Sequence, residues 1–457
     1  MTRVLLIYPF FKPAIDRSVF RFPPLGICYI AAILKKEGHE VHLLDCTFLK
    51  KKEALKKAQA VNSEVIGIYC MVTLLNETLW FAEQLRCSNR LLIAGGPLPT
   101  CDPLPFMEHF DIVVRGEGEQ TIIEILQAFK EGSSYTSIPS IVCRKDVSTG
   151  KQKGDNLFYS AKRPYIKDID ILPFPARGLL PNQSYIRHGK KKSGYSITTV
   201  MSSRGCPYHC EFCSNVVFGG SYRERSPRSV VDEIEESLDL GYDRISFADD
   251  VFTLNRGRVI KICEEIKRRK LHFAWECLGR VDSMDDRTAL TMKKAGCTRV
   301  YFGIESGSDQ ILKLMNKNIS IEQARKAVDT VHEAGIQVGA FFILFYPGET
   351  DDTVIETLRF ATSLPLDYLG LTMPYPLPGT ALNERLKGRI NRDWHPDGSP
   401  LFSHTLIFDS DFSELKIRFG LLKGRIQFEI SRRMGKAAPL LLKMFEKPTD
   451  ALLRWLK

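Results

Sequence analysis

The chain has 457 residues, of which 44% are hydrophobic and 26% are charged, a composition typical of globular proteins. This length exceeds what one hydrophobic core serves, so we expect two or three domains. The net charge of +10 is spread along the chain and is not interleaved with aromatic residues, which excludes nucleic acid as an expected partner. No run approaches the roughly 18 apolar residues of a membrane-spanning helix, and MTRVLLIYPF is too short for a signal peptide. We therefore expect a cytoplasmic protein.

Residues 1–145 alternate short β-rich runs with stretches of helical periodicity. The alternation predicts an α/β fold with a doubly wound, Rossmann-like parallel sheet. Its strand candidates are VLLIY (4–8), VHLLD (41–45), VIGIY (65–69), LLIAGG (91–96) and DIVVRG (111–116). Ligands of such sheets bind beyond the carboxyl ends of the strands. Here those ends carry the segments YPFFKP, CMVTLL, GGPLPT and GEGE.

A connector, residues 146–195, precedes a second strand–helix alternation over residues 196–390. Six strand candidates, with helical stretches between them, predict a (β/α)6 partial TIM barrel whose functional groups lie at the carboxyl ends of the strands. These candidates are SITTVMSS (196–203), RISFAD (244–249), FAWECLG (273–279), RVYFGIE (299–305), VGAFFILF (338–345) and YLGLTM (368–373).

Residues 391–457 lose this alternation and predict a mainly helical C-terminal region. Lys and Arg outnumber Asp and Glu from Asp411 onward. The pattern indicates either a helical cap over the barrel or a pair of basic amphipathic helices at a membrane surface.

The segment RGCPYHCEFC (204–213) places three cysteines, Cys206, Cys210 and Cys213, directly after the first barrel strand. The chain has 12 cysteines in an expected reducing compartment, which argues against a disulfide framework. Structural zinc takes four protein ligands. A 4Fe–4S cluster held by three thiolates instead leaves one iron open for another ligand, and the spacing favours this cluster. The alternative is a zinc site closed by His209, Cys263, Cys277 or Cys297.

CxxxCxxC with an aromatic residue, Phe212, before the last cysteine resembles the signature of radical S-adenosylmethionine (radical SAM) enzymes. Segments 23–45, 94–100 and 113–122 resemble the pattern of members that also bind cobalamin. The resemblance covers about residues 1–390. It implies a 4Fe–4S cluster on the cysteines, S-adenosylmethionine on the open iron, and cobalamin on the N-terminal domain. In this family, electron transfer from the cluster cleaves S-adenosylmethionine to a 5′-deoxyadenosyl radical.

The resemblance assigns the S-adenosylmethionine contacts to successive strand ends of the barrel. Arg280 would bind the methionine carboxylate through its planar guanidinium, and Glu305 would bind the amino group or the ribose. Each residue has a structural alternative, such as a surface ion pair for Arg280 or a helix cap for Glu305. The predicted contacts are Phe212, Asp249, Asp250, Arg280, Glu305, Ser306, Tyr346 and Gly348.

The resemblance places cobalamin at the strand ends of the N-terminal sheet. Histidine-on cobalamin proteins carry Asp-x-His-x-x-Gly after the first strand, but residues 8–26 contain no histidine. His39 and His42 are interpreted as edge or surface residues, so the resemblance implies a cobalt without a protein imidazole ligand, which favours methyl acceptance. The predicted contacts are Tyr8, Pro9, Phe10, Met71, Val72, Thr73, Leu74, Gly95, Gly96, Pro97, Gly116, Glu117, Gly118 and Glu119.

These patterns predict a radical SAM enzyme that transfers a methyl group to an unactivated carbon, with no catalytic residue assigned beyond the cluster cysteines. The alternatives are a radical cyclase or rearrangement enzyme without net methyl transfer, and a non-catalytic cobalamin or iron–sulfur sensor. The expected partners are a small-molecule substrate, lipid-like or a tetrapyrrole, and an electron donor of the flavodoxin or ferredoxin type. The basic C-terminal region adds an expected peripheral contact with a membrane.

Overall fold

The computed structural model describes residues 1–11, 21–144, 157–391 and 406–456. Its N-terminal domain is built on one seven-stranded sheet. The strands are β1 (Arg3–Tyr8), β2 (Glu40–Asp45), β3 (Val65–Tyr69), β4 (Leu91–Gly95), β5 (Ile112–Val114), β6 (Ile141–Arg144) and β7 (Leu157–Tyr159). The helices are α1 (Leu25–Lys36), α2 (Lys51–Ala60), α3 (Leu75–Leu85), α4 (Pro97–Cys101) and α5 (Glu119–Glu131).

The strand order is β2-β1-β3-β4-β5-β6-β7, with β1 to β5 parallel and the last two strands antiparallel. The order reverses between β1 and β3, the position where a doubly wound sheet opens a crevice for a ligand. Helices cover both faces, so apolar residues fill both sides of the strands. Leu6 belongs to the cluster packed with α1 and α5, whereas Leu5 and Ile7 belong to the cluster packed with α2 and α3.

The second domain is a six-stranded parallel sheet with the order β15-β14-β13-β12-β11-β8. Its strands are β8 (Ile197–Val200), β11 (Arg244–Phe247), β12 (Ala274–Gly279), β13 (Cys297–Glu305), β14 (Gln337–Ile343) and β15 (Tyr368–Thr372). A short antiparallel pair, β9 (Ser203–Arg204) and β10 (Arg223–Glu224), follows β8. The helices are α7 (Pro227–Asp239), α8 (Arg256–Arg268), α9 (Asp286–Lys294), α10 (Asp309–Leu314), α11 (Ile321–Glu333) and α12 (Asp351–Ser363).

One large apolar cluster joins this sheet to its outer helices and includes the fully buried Trp275, Phe302 and Phe342. Since six parallel strands carry helices on one side, the architecture is the predicted partial barrel, and the predicted fold class is confirmed. Helix α6 (Asn182–Ser193) lies in the predicted connector, and α13 (Ala381–Arg385) follows the last barrel strand.

The predicted boundary at residue 145 falls inside the N-terminal sheet, because β7 pairs with β6 across it. The C-terminal region forms two helices, α14 (Glu414–Arg433) and α15 (Ala438–Trp455). Helix α14 packs against α12 and β15, as a cap over the barrel would. No helix among residues 1–11, 21–144, 157–391 and 406–456 is both long and apolar enough to cross a membrane.

Close packing of α14 on the barrel predicts that Gly420→Ala destabilises the fold. A Cβ at Gly420 would collide with the ring of Phe345, and overpacking of this kind costs about 1–3 kcal/mol of unfolding free energy. The control is Gly257→Ala in the exposed first turn of α8, where a Cβ would meet only Asn255 Oδ1 at 3.5 Å. This control is expected to be neutral or slightly stabilising. Urea unfolding measures both variants, and equal midpoints would contradict the packing of α14.

Candidate functional site

The three predicted cluster ligands lie on one loop at the mouth of the barrel. The loop leaves the carboxyl end of β8 and passes through β9. Gly205 has a φ of +84°, and a Cβ there would collide with the carbonyl oxygen of Ser221, so the turn into Cys206 requires glycine. Pairing of β9 with β10 closes the base of the loop. The cysteines are therefore presented by a segment held at both ends.

All three cysteines line one cavity of about 780 Å³, which we call the cysteine cavity. The backbone N–H of Cys206 donates to the Gly219 carbonyl oxygen, and that of Cys213 donates to the Cys210 carbonyl oxygen, both at 3.1 Å. No group of three or more His, Cys, Asp or Glu side chains in the described ranges could hold a single metal ion. In a 4Fe–4S cluster each thiolate binds a different iron, and three thiols that line one cavity fit this arrangement.

The fold places the candidates for a fourth zinc ligand in two different surroundings. Cys263, Cys277 and Cys297 are buried in the apolar cluster of the barrel. His209 belongs to the cysteine loop itself and lines the cysteine cavity. The structure thus removes three of the four residues that could have closed a tetrahedral zinc site.

The protein environment disfavours the thiolate form of two of the three cysteines. Burial is the main cause that raises the pKa of Cys206 and raises that of Cys213 to about 12, and the nearby Asp250 carboxylate adds to both effects. The guanidinium of Arg280 opposes the shift at Cys206, and the ammonium of Lys317 opposes it at Cys213. Iron that binds the sulfurs displaces these protons and offsets the burial. This donor set fits a 4Fe–4S cluster.

Arg280 connects the cysteine loop to the turn after α10. Its guanidinium carbon lies 3.5 Å from the centroid of the Tyr208 ring, which stands between the first two cysteines. Nη2 donates to the carbonyl oxygens of Lys317 at 2.6 Å and Asn318 at 3.2 Å, and Nε donates to Asp282 at 3.0 Å. Arg280 is therefore held in place between the cysteine loop and the turn after α10.

Glu305 ends β13 in a strained conformation, with a φ of +75°. Its carboxylate forms an ion pair with Lys317 Nζ at 3.1 Å, and both side chains are nearly buried. The same ammonium lies 5.9 Å from the centroid of the Phe212 ring in the cysteine loop. The sequence analysis missed Lys317 because it lies on a turn between two helices rather than at a strand end.

The carboxylate of Asp249 is occupied by protein donors. The backbone N–H of Ser202 donates to Oδ1 at 2.6 Å, and the hydroxyls of Ser202 and Ser203 donate to Oδ2, the latter at 2.8 Å. Burial raises the pKa of Asp249 despite these bonds. Through these bonds Asp249 connects the end of β11 to the segment that follows β8. Asp250, in contrast, is exposed, and its carboxylate lies near the cysteine thiols.

Tyr346 and Ser306 make contacts that hold the loops near the cysteine cavity in place. The hydroxyl of Tyr346 donates to Glu211 Oε2 at 2.5 Å, and its ring packs edge-on against Phe212 at 6.5 Å between centroids. Ser306 is fully buried, and its hydroxyl lies 3.1 Å from Thr357 Oγ1. Gly348 has a φ of +102°. Arg280, Glu305 and Tyr346 thus lie near the cysteine loop, which contains Phe212, while the predicted roles of these residues toward S-adenosylmethionine stay predictions.

A second, apolar cavity of about 280 Å³ opens at the carboxyl ends of the N-terminal strands, and we call it the sheet cavity. Its predicted lining residues are Gly95, Gly96, Pro97, Gly116, Glu117, Gly118 and Glu119. At Gly96, φ is +119°, and a Cβ would collide with the carbonyl oxygen of Cys70, so the strand end can pass close to β3. Glycine and apolar walls fit an extended organic group such as part of cobalamin.

Other predicted cobalamin contacts lie outside the lining of the sheet cavity. They lie at the ends of β1 and β3. There the centroid of the Tyr8 ring is 5.5 Å from that of Tyr69 and 6.2 Å from that of Phe10. These contacts are Tyr8, Pro9, Phe10, Met71, Val72, Thr73 and Leu74. The sequence analysis missed the lining residues Tyr29 and Tyr69, and also Met201, Arg204, Val217 and Phe218 of the barrel domain, since a wall shared by two domains has no local sequence pattern.

A buried ion-pair network joins the two domains between the cavities. Arg204 Nη1 lies 2.8 Å from Glu117 Oε1, and Arg204 Nη2 lies 2.6 Å from Glu119 Oε1. Arg223 Nη1 contacts both oxygens of Glu117, at 2.8 and 2.9 Å. The Ile166 N–H of the connector donates to Glu117 Oε2 at 2.9 Å. The two carboxylates are therefore engaged with the barrel and the connector, although both residues line the sheet cavity.

Gly116 and Glu117 line both the cysteine cavity and the sheet cavity. Arg204 immediately precedes Gly205 and Cys206, and its guanidinium lies between the rings of Tyr29 and Phe218, 5.0 Å from each centroid. Because one wall serves both cavities, groups bound in them would be neighbours.

His39 and His42 lie at the edge of the N-terminal sheet. His42 lies on the edge strand β2 and contacts Glu40 Oε1 at 3.0 Å, and His39 precedes that strand. Part of the segment in which the histidine motif was sought, residues 12–20, lies outside the described residues. Among the described residues that line the two cavities, His209 is the one histidine.

Comparisons with known proteins agree with this geometry. The sequence model of the radical SAM superfamily matches residues 200–361, and that of the B12 binding domain matches residues 12–126. An uncharacterized methyltransferase of Pyrococcus horikoshii is 34% identical over 84% of this chain and 82% of its own length. An anaerobic magnesium-protoporphyrin IX monomethyl ester cyclase of Cereibacter sphaeroides is 27% identical over 85% of this chain and 64% of its own length.

Two solved structures share the fold. The radical SAM methyltransferase TsrM of Kitasatospora setae, with cobalamin and a [4Fe–4S] cluster bound, has a TM-score of 0.70 at 20% identity and covers 85% of this chain and 75% of its own. The cobalamin-dependent radical enzyme OxsB, with aqua-cobalamin bound, has a TM-score of 0.76 at 18% identity and covers 99% of this chain and 72% of its own. The chain belongs to the radical SAM superfamily, among the enzymes that also carry a cobalamin-binding domain. Its predicted cofactors are confirmed as a 4Fe–4S cluster, S-adenosylmethionine and cobalamin.

The interdomain network predicts a large effect of Glu117→Gln on stability. Removing this charge leaves Arg223 without its carboxylate partner, and breaking a buried ion pair costs about 3–5 kcal/mol. The matched control is Glu53→Gln, which breaks a half-exposed pair with Lys57 in the same domain and should change stability by less than about 0.5 kcal/mol. Chemical unfolding compares the two, and a similar small loss in both would contradict a tight interface.

The buried carboxyl group of Glu349, in the turn after β14, predicts that the free energy of unfolding depends on pH. Burial raises its pKa from 4.5 to about 8, so the folded protein keeps a proton there that the unfolded chain releases. Stability from this group is present below about pH 4.5 and declines as the pH rises toward 8, by about 1.4 kcal/mol per pH unit. Unfolding free energy measured from pH 5 to 8 should fall less steeply in Glu349→Gln than in the wild type. Identical slopes would contradict the protonated form, and Glu356→Gln on the exposed side of α12 is the control.

Proposed function

We propose that this enzyme methylates an unactivated carbon of a small-molecule substrate. The observation that carries the proposal is the wall formed by Gly116 and Glu117, which separates a cavity lined by three thiols from a glycine-rich cavity of the cobalamin-type domain. When bound, the cluster with S-adenosylmethionine supplies hydrogen-atom abstraction from carbon, and cobalamin supplies a methyl carrier. A methyl transfer between them requires the substrate carbon to reach both groups, which adjacent cavities permit.

The residues around the cysteine loop have positioning roles in this proposal. Cys206, Cys210 and Cys213 would hold three irons of the cluster. Arg280 would bind the methionine carboxylate through its guanidinium, which its bonds to Asp282 and the Lys317 carbonyl oxygen keep in place. Glu305, oriented by Lys317, would face the amino group or the ribose.

A radical cyclase without net methyl transfer is the second candidate. The observation that favours it is the similarity to a magnesium-protoporphyrin cyclase over 85% of this chain. That name also supports a tetrapyrrole as one substrate class, beside a lipid-like molecule. The flavodoxin- or ferredoxin-type electron donor, the cytoplasmic location and the membrane contact stay predictions.

The cluster assignment predicts that Cys210→Ala loses most of its iron and forms no 5′-deoxyadenosine. Two thiols cannot retain a cluster that needs three protein ligands. The control is Cys87→Ala, which removes an exposed cysteine of the N-terminal domain and should keep both properties. Iron analysis and chromatography of anaerobic, reduced protein give the readout. Unchanged 5′-deoxyadenosine formation in Cys210→Ala would contradict the assignment.

Product analysis separates methyl transfer from cyclisation before the substrate is known. A methyltransferase that recharges cobalamin from S-adenosylmethionine should form S-adenosylhomocysteine as well as 5′-deoxyadenosine. A cyclase should form 5′-deoxyadenosine alone, and a sensor should form neither. Reconstituted protein with cobalamin, reductant and S-adenosylmethionine is sufficient for this measurement.

A further inference from the structure

Helix α15 presents an apolar face to solvent. Leu440 and Met444 are each 66% exposed, and Trp455 is 75% exposed. Pro448 and Leu452 are exposed on the same side, because residues spaced by three or four positions share one face of a helix. We call these five residues the α15 stripe. Single exposed apolar residues are ordinary on proteins, but a stripe that runs the length of a helix marks an interaction surface.

The inward face of α15 combines Leu453, which is fully buried in the apolar cluster of the barrel, with acidic side chains. The buried Lys423 of α14 lies 2.8 Å from Asp450 Oδ1, and Arg359 of α12 donates to Asp450 Oδ2 at 2.5 Å. Gln427 of α14 donates to Glu446 at 2.9 Å. Rotating α15 to bury its stripe would leave these buried charges unpaired, which is unfavourable. The stripe is therefore held outward.

Basic side chains border the stripe along one edge. Lys443, Lys447 and Arg454 are exposed and follow one another at helical spacing. Arg454 has an acidic neighbour, Asp352, at 2.7 Å. Both acidic residues of α15 face inward, so this edge of the helix carries only positive charge of its own. A basic edge beside an apolar stripe complements an anionic lipid surface.

We propose that α15 docks the protein on the surface of a bilayer that contains anionic phospholipid. The helix lies in the plane of the membrane, with the stripe at the acyl boundary and Lys443 and Lys447 among the headgroups. A second copy of the chain seated on the same stripe would instead bring the same basic edge with it, which favours the lipid occupant. The docking does not depend on methyl transfer, and it would bring a membrane-dissolved substrate within reach of the enzyme.

The test is co-sedimentation of the anaerobically purified full chain with vesicles of phosphatidylcholine and with vesicles of equimolar phosphatidylcholine and phosphatidylglycerol. Wild type should bind the mixed vesicles more tightly, with a blue shift of Trp455 emission that is absent in Trp455→Phe. Leu440→Glu combined with Met444→Glu should weaken binding about a hundredfold. Lys443→Gln combined with Lys447→Gln should weaken binding to the mixed vesicles about thirtyfold.

Leu290→Glu, at an apolar residue of α9 that is 48% exposed, is the matched control and should bind as wild type does. Unchanged iron content and 5′-deoxyadenosine formation in all variants would show intact folding and keep this test separate from the methylation proposal. Absence of wild-type binding, or equal binding by wild type and the Leu440 and Met444 double variant, would overturn the proposal. A dimer that this variant abolishes, seen by light scattering without vesicle binding, would overturn it in favour of a second copy.

Discussion

The carboxylate of Glu117 lies buried between the guanidinium groups of Arg204 and Arg223, so separating the two domains would break these ion pairs. Glu117 comes from the strand end after β5, and both arginines come from the short β9–β10 pair that carries the cysteine loop. This interaction fixes the loop against the N-terminal sheet. The spatial relation of the cysteine cavity to the sheet cavity depends on it.

A rigid surround is what radical chemistry needs, because a reactive radical must meet one carbon and be shielded from others. Several features supply it here. Arg280 stacks on Tyr208 inside the cysteine loop, Tyr346 bonds to Glu211 in the same loop, and Lys317 pairs with Glu305 at a strained strand end. The first two contacts join the loop to the ends of β12 and β14, and the third holds Lys317 beside the Phe212 ring of the loop.

The sequence predicted the features that rest on a repeating pattern or on residues close together in the chain. The parallel strands of both sheets were predictable because buried β-rich runs alternate with helical stretches. The cysteine loop was predictable because its three cysteines are closely spaced in the sequence. Contacts formed by residues distant in sequence could not be predicted: Lys317 on a turn, Arg204 opposite Glu117, and the barrel residues that wall the sheet cavity. The predicted end of the N-terminal domain, residue 145, lies before the last strand of its sheet, because β7 follows a long connection and pairs antiparallel with β6.

In the proposed enzyme, the cluster and the cobalamin would occupy neighbouring spaces on either side of the Gly116–Glu117 wall. Electron paramagnetic resonance of protein loaded with cob(II)alamin tests this arrangement, recorded with the cluster oxidised and then reduced. We expect the cob(II)alamin signal to broaden when the cluster becomes paramagnetic, and we expect Cys210→Ala to abolish this broadening. A cob(II)alamin signal that stays unchanged on reduction, at full occupancy of both cofactors, would contradict neighbouring positions of the cluster and the cobalamin.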